Sequence, residues 1–559
     1  MKKFIYLSLA LTPMIFATGC IEEINPQSNT VTAGQVQGAP NSSAKLTAAL
    51  TSGMTGHFSY GGDKSTAWDY GYPSFLLQRD VMGQDLVNAD SDHNWYSTWE
   101  FCGVGLGPGY AVAQVPITCY YSWIKDCNNV LSLIPAEPTA EERHNAGIAH
   151  TIRAFYYMDL ARMYCPTTYG INPQAQTAPI VTEKTTAVEA TNNPRATNEK
   201  MWEFILSDLD AAEAELADFD RGSNTDLPNL SVVYGLKARA YLTMEDWVNA
   251  EKYAKLAQNG YQPMSAAQYT DRELGFNTPN DAWMFSTSFK KDDPAILQND
   301  ADTSWGSWMI LEITQVSGCG YAANYGVPFH IDRHLYNTIP ETDCRKNCFV
   351  SFDVPGMDRA EALAYVQEHY SDYPETIVDL NVEQPYEYGC GGASVKFRAA
   401  GGATGHNDQY VGFCVSVPLM RVEEMMLIEA EAAGMQNEGR GIQLLTTFAQ
   451  LRDPEYIYGH HNENYQSDYA TAFQNEVWWQ RRVELWGEGF ATFDIKRLNK
   501  GIIRSYEDTN HCSPNQWNTT TPPQWMTLCF VGTEANYNIA LEQNPTPVKP
   551  ETDSPKYNF

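Results

Sequence analysis

Long apolar runs and positive charge are both scarce in this sequence. Beyond Cys20, no apolar run approaches the roughly 20 residues that a membrane-spanning helix needs. Lys and Arg number 37 against 68 Asp and Glu, which gives a formal net charge of -31. The first scarcity argues against a spanning segment. The second argues against nucleic acid and against attachment to anionic lipid head groups, because both depend on basic side chains.

Metal-ligand patterns are also missing. Cys344 and Cys348 are close in sequence, but no CxxC pair or nearby His pair completes a tetrahedral set. We therefore expect no metal and no cofactor. The chain has 12 cysteines, so setting Cys20 aside leaves an odd number and at least one without an intrachain partner. A local bridge and buried thiols both remain open.

The first residues have the layout of a secretory signal. Lys2 and Lys3 precede an apolar stretch, and small residues lead up to Cys20. The stretch Ala17-Thr18-Gly19-Cys20 resembles a lipobox, which predicts cleavage before Cys20 and acylation of that residue. Several acyl chains together anchor a protein stably. Ordinary secretion, with Cys20 an incidental thiol, is the alternative.

The chain has no long Ser/Gly-rich or Pro-rich linker, so we expect two intimately packed subdomains rather than independent domains joined by flexible linkers. Composition and pattern divide it into seven segments. They are a signal peptide (1–19), a lipidated tether (20–54), a loop-rich segment (55–119), helical repeats (120–260), a loop-rich insertion (261–415), C-terminal helical repeats with a terminal helix (416–500) and an irregular C-terminal segment (501–559).

The clearest helical pattern is "SVVYGLKARAYLTMEDWVNAEKYAKLAQNG", residues 231–260. Apolar and small residues recur there at three- and four-residue spacing. This spacing predicts two amphipathic helices joined near Glu245-Asp246 and ended by Gly260. Alanines on the facing sides would let the helices approach closely, as in a tetratricopeptide hairpin.

Similar patterns recur without a strict period. They predict a hairpin over 120–164, a helix over 198–217, a pair over 422–453 and a single helix over 475–498. The fold class is therefore mainly α, a tetratricopeptide-like helical-repeat scaffold that is not a simple solenoid. The loop-rich segments contain short strand-like runs such as "DAWMFSTSF" and are too long to be mere connections, so we expect them to form a functional surface.

Several stretches resemble the SusD/RagB family of outer-membrane lipoproteins, in the family's order and over nearly the full length. They are "IRAFYYMDLARMYC" with the following "APIVTE", "LSDLDAAEAEL" with "GLKARAYLTMEDWVNAEKYAKLA", "DAWMFSTSF", "ETDCRKNCF", "PLMRVEEMMLIEAEA" and "RRVELWGEGFATFDIKR". Each alone is a packing pattern, whereas their order together with the lipobox is specific.

The resemblance implies a helical-repeat scaffold with a loop-rich ligand-binding portion and no catalysis. Members bind oligosaccharides as lids on a SusC-like TonB-dependent transporter, and a RagB-like branch serves peptides. Glu22-Glu23 is similar to the surface-export signal of such lipoproteins. The implied location is the cell surface of the outer membrane, held only by lipid at Cys20. A peptide-binding lid and a surface glycosidase remain the alternatives.

A glycan site needs a flat aromatic platform with amide, carboxylate or guanidinium groups at its rim, because a sugar ring offers C–H faces and edge hydroxyls. The stretch "NADSDHNWYSTWEF" concentrates such groups. The candidates there are Asp92, Asn94, Trp95, Tyr96 and Trp99. The alternative is that Trp95 and Trp99, four residues apart, form one core-facing stripe of a helix.

A second candidate group lies in "DTSWGSWMI" and "GCGYAANYG". Its members are Trp305, Trp308, Tyr321, Asn324 and Tyr325. Glycines allow a loop that presents aromatic side chains, although such loops also seal hydrophobic surface.

Other polar residues favour structural interpretations. Arg79 and Asp80 are expected to form a buried pair, and the dipeptide His460-His461 is expected in an exposed loop. Four acidic residues of one predicted helix are expected on a solvated face rather than in a glycosidase site; they are Glu423, Glu424, Glu429 and Glu431.

Overall fold

The computed structural model describes most of the chain. The described residues are 39, 41–56, 68–88, 95–101, 104–298, 301–314, 320–380, 389–465, 467–548 and 554–559. The chain divides into the units Met1–Ser42 and Ser43–Phe559, and the elements below belong to the second apart from the first residue of the first helix.

Helices dominate the described residues. The α-helices are α1 (Ser42–Ser52), α2 (Tyr72–Val81), α3 (Ser97–Phe101), α4 (Ala111–Ser132), α5 (Ala140–Tyr164), α6 (Ala187–Ala190), α7 (Asn198–Glu215), α8 (Leu230–Met244), α9 (Trp247–Ala257), α10 (Ala266–Tyr269), α11 (Pro294–Leu297), α12 (Trp305–Met309), α13 (Arg333–Thr338), α14 (Arg359–His369), α15 (Pro374–Val378), α16 (Gly402–Asn407), α17 (Gln409–Gly412), α18 (Val422–Gln436), α19 (Glu438–Ala449), α20 (Ala472–Glu484) and α21 (Ala491–Arg497).

Short elements complete the described structure. The 3-10 turns span Gly53–Thr55, Val104–Leu106, Cys344–Cys348, Val354–Gly356, Ser513–Asn515, Gln524–Met526 and Glu534–Asn536. The strands are β1 (Leu86–Val87), β2 (Trp283–Ser288), β3 (His330–Ile331) and β4 (Ser416–Arg421). The mainly α fold class is confirmed.

The scaffold is a series of neighbouring helices. Helix α4 packs on α5, α5 on α7, α7 on α8 and α8 on α9. Helix α9 then packs on α18, far along the chain, and α18 packs on α19 and α20. The predicted pairs over 120–164, 231–260 and 422–453 and the helix over 198–217 are confirmed. The contact between α9 and α18 closes the series across a long insertion, so the scaffold is not a simple solenoid.

Small residues let α8, α9 and α18 approach closely. Ala250, Ala254 and Ala257 of α9 are fully buried. Between α8 and α9, Glu245 adopts a left-handed backbone with φ of 61° and ends the first helix, and the Asp246 side chain then accepts a hydrogen bond from the backbone N–H of Asn249 to start the second. The turn therefore lies where the sequence predicts it.

The prediction of one helix over 475–498 is wrong. Helix α20 ends at Glu484 and α21 begins at Ala491. Gly487 and Gly489, between them, adopt φ of 77° and 82°, a backbone region that other residues rarely enter. The chain therefore turns sharply inside a stretch whose apolar pattern continues.

Helix α2 was not predicted, since residues 55–119 read as loop-rich. Every residue of α2 is buried, and its 10 residues give the three- and four-residue spacing too few repeats to be recognised. Its two charged residues do not pair with each other as expected. Arg79 pairs with Asp159 at 2.9 Å, whereas Asp80 accepts hydrogen bonds from the backbone N–H groups of Gly489 and Ala491.

Two small antiparallel sheets join distant segments. Strand β2, the predicted "DAWMFSTSF" strand, pairs with β4 from Trp283 opposite Arg421 to Ser288 opposite Ser416. Strand β1 pairs with β3, placing Leu86 opposite Ile331. The second sheet joins the loop-rich segment before the repeats to the insertion between α9 and α18.

A buried network of ion pairs lies beside β4. Arg421 contacts Glu484 at 3.1 Å and Glu488 at 2.8 Å, and Arg452 contacts Glu423 at 3.0 Å and Glu484 at 2.9 Å. All five side chains are buried. Removing a single member would leave a buried charge without compensation.

The expectation of a solvated acidic face on α18 is wrong for three of its four residues. Glu423, Glu424 and Glu431 are at most 1% exposed. Glu424 pairs with Arg239 and Glu431 with Arg497, each at 2.6 Å. Glu429 is half-buried and accepts a hydrogen bond from Gln258. Basic residues from distant elements, which periodicity cannot locate, allow these carboxylates to be buried.

Candidate functional site

The two predicted ligand-binding segments meet in space. The pairing of β1 with β3 aligns the chain before Trp95 with the chain after Tyr325. Helix α12 lies against the same region, because the ring of Trp308 packs on Tyr96 at 5.0 Å in an edge-to-face arrangement. The six rings of Trp95, Tyr96, Trp99, Trp308, Tyr321 and Tyr325 are called the aromatic cluster below.

Trp95 and Tyr321 connect the two segments at the surface. The Trp95 side chain lies close enough to the Tyr321 hydroxyl to favour the charged form of that group. Burial, with the nearby carboxylate of Asp302, raises the pKa of Tyr321 to about 12. The Tyr321 hydroxyl therefore remains protonated at neutral pH, and the neighbouring Trp95 is 50% exposed.

A continuous stack of rings extends from this contact. Tyr321 lies parallel to Trp308, with ring centroids 4.2 Å apart and an interplanar angle of 4°. Tyr325 also stacks on Tyr321, with ring centroids 5.2 Å apart and an interplanar angle of 30°. Such stacking restricts ring motion and pre-organises a flat surface.

Polar contacts support the cluster from beneath. The hydroxyls of Tyr96 and Tyr70 lie 2.5 Å apart, and the Ser74 hydroxyl lies 3.0 Å from that of Tyr96. Ser74 belongs to the buried helix α2, and Trp68 packs edge-on against Trp99 at 5.5 Å. The sequence pattern did not identify these supporting residues, because the partners are brought together only by tertiary contacts.

The predicted site residues differ in accessibility. Trp95 is exposed, Asn324 and Tyr325 are half-buried, and Tyr321 keeps 6% of its surface. A second set is at most 1% exposed, so a ligand would meet its members only after a rearrangement; they are Tyr96, Trp99, Trp305 and Trp308. Asp92 and Asn94 lie outside the described residues. The core-stripe alternative thus describes Trp99 but not Trp95.

Trp305 belongs to a different contact. Its ring packs edge-on against Phe397 at 5.3 Å rather than on the stack formed by Trp308. Neighbours in α12 therefore point into different parts of the core.

A cavity of about 240 Å³ adjoins the cluster through Ala323, which lies on the turn between Tyr321 and Tyr325. Its other described lining residues are mainly polar; they are Ile313, Thr314, Glu375, Thr376, Asp379 and His406. The His406 ring stacks on Tyr373 at 3.7 Å and donates its Nδ1–H to the Glu312 carbonyl oxygen. The aromatic surface thus continues into a polar recess.

Two further concavities lie elsewhere on the chain. A groove of about 350 Å³ lies between α4 and residues 530–541, and one of about 410 Å³ lies beside His460 and His461. His460 is exposed as expected, whereas His461 is half-buried against Trp479 at 3.7 Å. Burial lowers the pKa of His461 to about 4, so this imidazole is neutral at physiological pH.

Among the described residues, no group of three or more His, Cys, Asp or Glu side chains could hold a metal ion. Eight described cysteines are free thiols; they are Cys119, Cys127, Cys165, Cys344, Cys348, Cys390, Cys414 and Cys529. Cys344 and Cys348 thus form no local bridge in this structure. Within the same described ranges, no helix is both long and apolar enough to cross a membrane.

Two family models match separate parts of the chain. One, described as "Starch-binding associating with outer membrane", matches residues 88–242, and the other, described as "SusD family", matches residues 332–547. No curated protein sequence matches the chain significantly.

Solved structures share the fold. A SusD-like carbohydrate binding protein from Bacteroides vulgatus is 21% identical, with a TM-score of 0.67 over 89% of this chain and 96% of that chain. A laminarin binding SusD-like protein is 15% identical, with a TM-score of 0.60 over 90% and 99%. Surface glycan-binding protein A from Bacteroides thetaiotaomicron, in complex with laminarihexaose, is 17% identical, with a TM-score of 0.61 over 90% and 98%.

Proposed function

The chain belongs to the SusD family, and we propose that it binds an oligosaccharide at the aromatic cluster and delivers it to a SusC-like TonB-dependent transporter in the outer membrane. The observation that carries this proposal is the half-exposed Trp95 beside Tyr321 and its stack of rings. A sugar ring can place its C–H face on such a ring, because the aromatic face is apolar and electron-rich.

Groups that can hydrogen-bond hydroxyls occur beside Tyr325 and in the adjoining recess. Asn324 is half-buried beside Tyr325, and the recess next to them offers Thr376 and Glu375. Amides and carboxylates can each bond more than one hydroxyl of a sugar. The relatives described as binding laminarin and laminarihexaose support the same ligand class.

Weak binding would be sufficient for this role. A millimolar dissociation constant corresponds to about 4 kcal/mol. A lid tethered beside its transporter holds the ligand at a high effective concentration, so tight binding is unnecessary and would slow release.

The protein would act as a binder rather than as an enzyme. The buried carboxylates of α18 that a glycosidase would need are engaged by arginines, as in the pairs Glu424–Arg239 and Glu431–Arg497. A general acid or base needs a carboxyl group that can reach the substrate and exchange its proton.

Titration calorimetry or affinity electrophoresis against a panel of oligosaccharides tests the proposal. Trp95→Ala should weaken binding of the best ligand by about tenfold or more, which corresponds to about 1.4 kcal/mol. Tyr537→Ala is the matched control, because this exposed aromatic residue lies in another part of the chain and its ring is 73% exposed.

Equal binding by the Trp95→Ala and wild-type proteins would remove the aromatic platform from the proposal. Co-purification of a bound peptide, with no oligosaccharide bound, would favour the RagB-like alternative. Release of reducing sugar by the purified protein would show catalysis.

A further inference from the structure

The two segments that build the aromatic cluster contain no Lys or Arg over long stretches. No Lys or Arg occurs between Arg79 and Lys125, or between Lys291 and Arg333. The first interval carries five acidic residues and the second six. Every ring of the aromatic cluster lies in one of these two intervals.

Two arginines near the recess are already engaged by carboxylates. Arg398 contacts the Glu312 carboxylate at 2.7 Å, and both side chains are buried. At the recess, Arg359 donates two hydrogen bonds to Asp379, at 2.7 and 2.5 Å. In each pair the carboxylate offsets the positive charge of the guanidinium group, so neither arginine gives the recess an uncompensated cation.

The other usual anion-binding feature, a helix N-terminus, is also occupied. Helix α12 begins beside the cluster, but the Ser304 hydroxyl already accepts the hydrogen bond of the Ser307 backbone N–H. Both residues are fully buried. The first turn of α12 therefore offers no exposed N–H groups to a ligand.

Carboxylates, in contrast, lie close to the surface that a ligand would touch. Asp302 accepts a hydrogen bond from the Gly320 backbone N–H at 2.6 Å, next to Tyr321. Glu375 is exposed and lines the recess with Asp379. Among the described lining residues of that recess, none is Lys or Arg.

We propose that the aromatic cluster selects uncharged glycan segments and rejects glycans that carry carboxylate or sulfate groups. An anionic sugar would lose hydration on binding without gaining a cationic partner, and it would be repelled by the surrounding carboxylates. The selection thus works through an unfavourable contact with the wrong ligand as much as through stacking with the right one. This inference rests on the proposed oligosaccharide-binding function.

A matched pair of ligands tests the inference. The probe is the neutral oligosaccharide that binds best in the panel, compared with the same oligosaccharide after oxidation of its primary hydroxyls to carboxylates. The wild-type protein should bind the oxidised form at least about tenfold more weakly at low salt. Raising NaCl from about 0.05 to about 0.5 M should reduce this difference to about threefold or less, because salt screens repulsion between exposed charges.

A charge variant separates electrostatic repulsion from a steric clash. Glu375→Gln should bind the oxidised oligosaccharide more tightly than wild type does and so lower the ratio of neutral to oxidised affinity, since it removes one carboxylate at the recess but keeps a side chain that can bond a sugar hydroxyl. Glu455→Gln, at an exposed carboxylate beside the other concavity, is the matched control and should change neither value.

Equal affinity for the two forms, or a preference of the panel for uronate-bearing or sulfated glycans that depends on Trp95, would overturn the inference while leaving oligosaccharide binding intact. A difference in affinity between the neutral and oxidised forms that NaCl does not change would also overturn the inference. Absence of binding to every oligosaccharide in the panel would instead remove the proposed function, and the inference with it.

Discussion

The carboxylate of Glu484 contacts three guanidinium groups in the core. Arg452 lies 2.9 Å away, Arg421 3.1 Å and Arg345 3.5 Å. Burial opposes the charged form, but Arg452 and Arg421 together hold the pKa of Glu484 well below its ordinary value. The network is therefore stable only while every charge has its counterpart.

Glu484→Ala should destabilise the protein by about 3–5 kcal/mol, because it leaves buried guanidinium groups without their shared partner. Urea unfolding monitored by tryptophan fluorescence measures the change. Glu455→Ala is the control; its side chain is exposed, and the substitution should cost no more than about 0.5 kcal/mol. Similar losses of unfolding free energy in the two variants would show that the ion-pair network adds little to stability.

Asp80 is the clearest source of pH dependence. Burial raises the pKa of this carboxyl group to about 7 from an ordinary value of 3.8, even though the N–H groups of Ala491 and Gly489 favour the charged form. The unfolded chain loses this proton near the ordinary value, whereas the folded chain keeps it until about pH 7. The contribution of Asp80 to stability is therefore full in acid and is lost as pH rises through the folded pKa.

Asp80→Asn should remove that contribution. The free energy of unfolding of wild type, relative to the variant, should fall between about pH 5 and about pH 8. Urea titrations at these two pH values measure the free energy of unfolding of each protein. The difference between wild type and variant is the informative quantity, because other carboxyl groups titrate in both proteins. If the free energies of unfolding of wild type and variant changed equally with pH, a raised pKa at Asp80 would be contradicted.

At the scale of secondary-structure elements, glycine sets how closely α18 and α19 pack. A Cβ atom at Gly441 would lie 2.3 Å from the Gly434 Cα atom and 2.7 Å from the Phe473 ring. The first of these neighbours is backbone and cannot move aside without shifting a helix. The pair was predicted from apolar periodicity, but its separation depends on these two glycines.

Gly441→Ala should cost about 1–3 kcal/mol, because overpacking outweighs the gain in helix propensity. Thermal unfolding followed by circular dichroism measures the loss. Gly439→Ala in the same helix is the control, since its nearest neighbour, Asn437 Oδ1, would be 3.6 Å from the new Cβ. That variant should be neutral or more stable by up to about 1 kcal/mol.

Element prediction succeeded where the three- and four-residue spacing runs through a long segment, and it failed for a short helix and for a turn inside an apolar stretch. Helices α8 and α9 follow the three- and four-residue spacing closely, so the boundary at Glu245 could be read from sequence. Helix α2 is buried all round, and the stretch from α20 to α21 keeps an apolar pattern through a turn made by glycines. Periodicity reports burial of one face, not where the backbone changes direction.

At the scale of the whole molecule, two features bear on how the protein is attached to a membrane. The net charge of -31 argues against attachment to anionic lipid head groups, and the lipobox-like start predicts a lipid anchor. We propose that acylated Cys20 holds the mature chain on the outer membrane. Cys20→Ser, expressed in a Bacteroidetes host, should move the protein from the membrane fraction to the secreted or periplasmic fraction, because acyl chains supply the stable attachment. Immunoblotting of fractions measures this, and continued membrane association of the variant would contradict lipid anchoring.

The sequence by itself determined the repeat helices, the acidic character and the two aromatic segments that were candidates for ligand binding, because each is a local property of composition or spacing. Only the tertiary structure brought Trp95 to Tyr321, assigned Trp99, Trp305 and Trp308 to the core, and paired the carboxylates of α18 with distant arginines. These outcomes depend on contacts between residues far apart in the chain, such as the pairing of β1 with β3. A local pattern identifies which side chains are available, whereas burial and partners are decided by the packing of the whole chain.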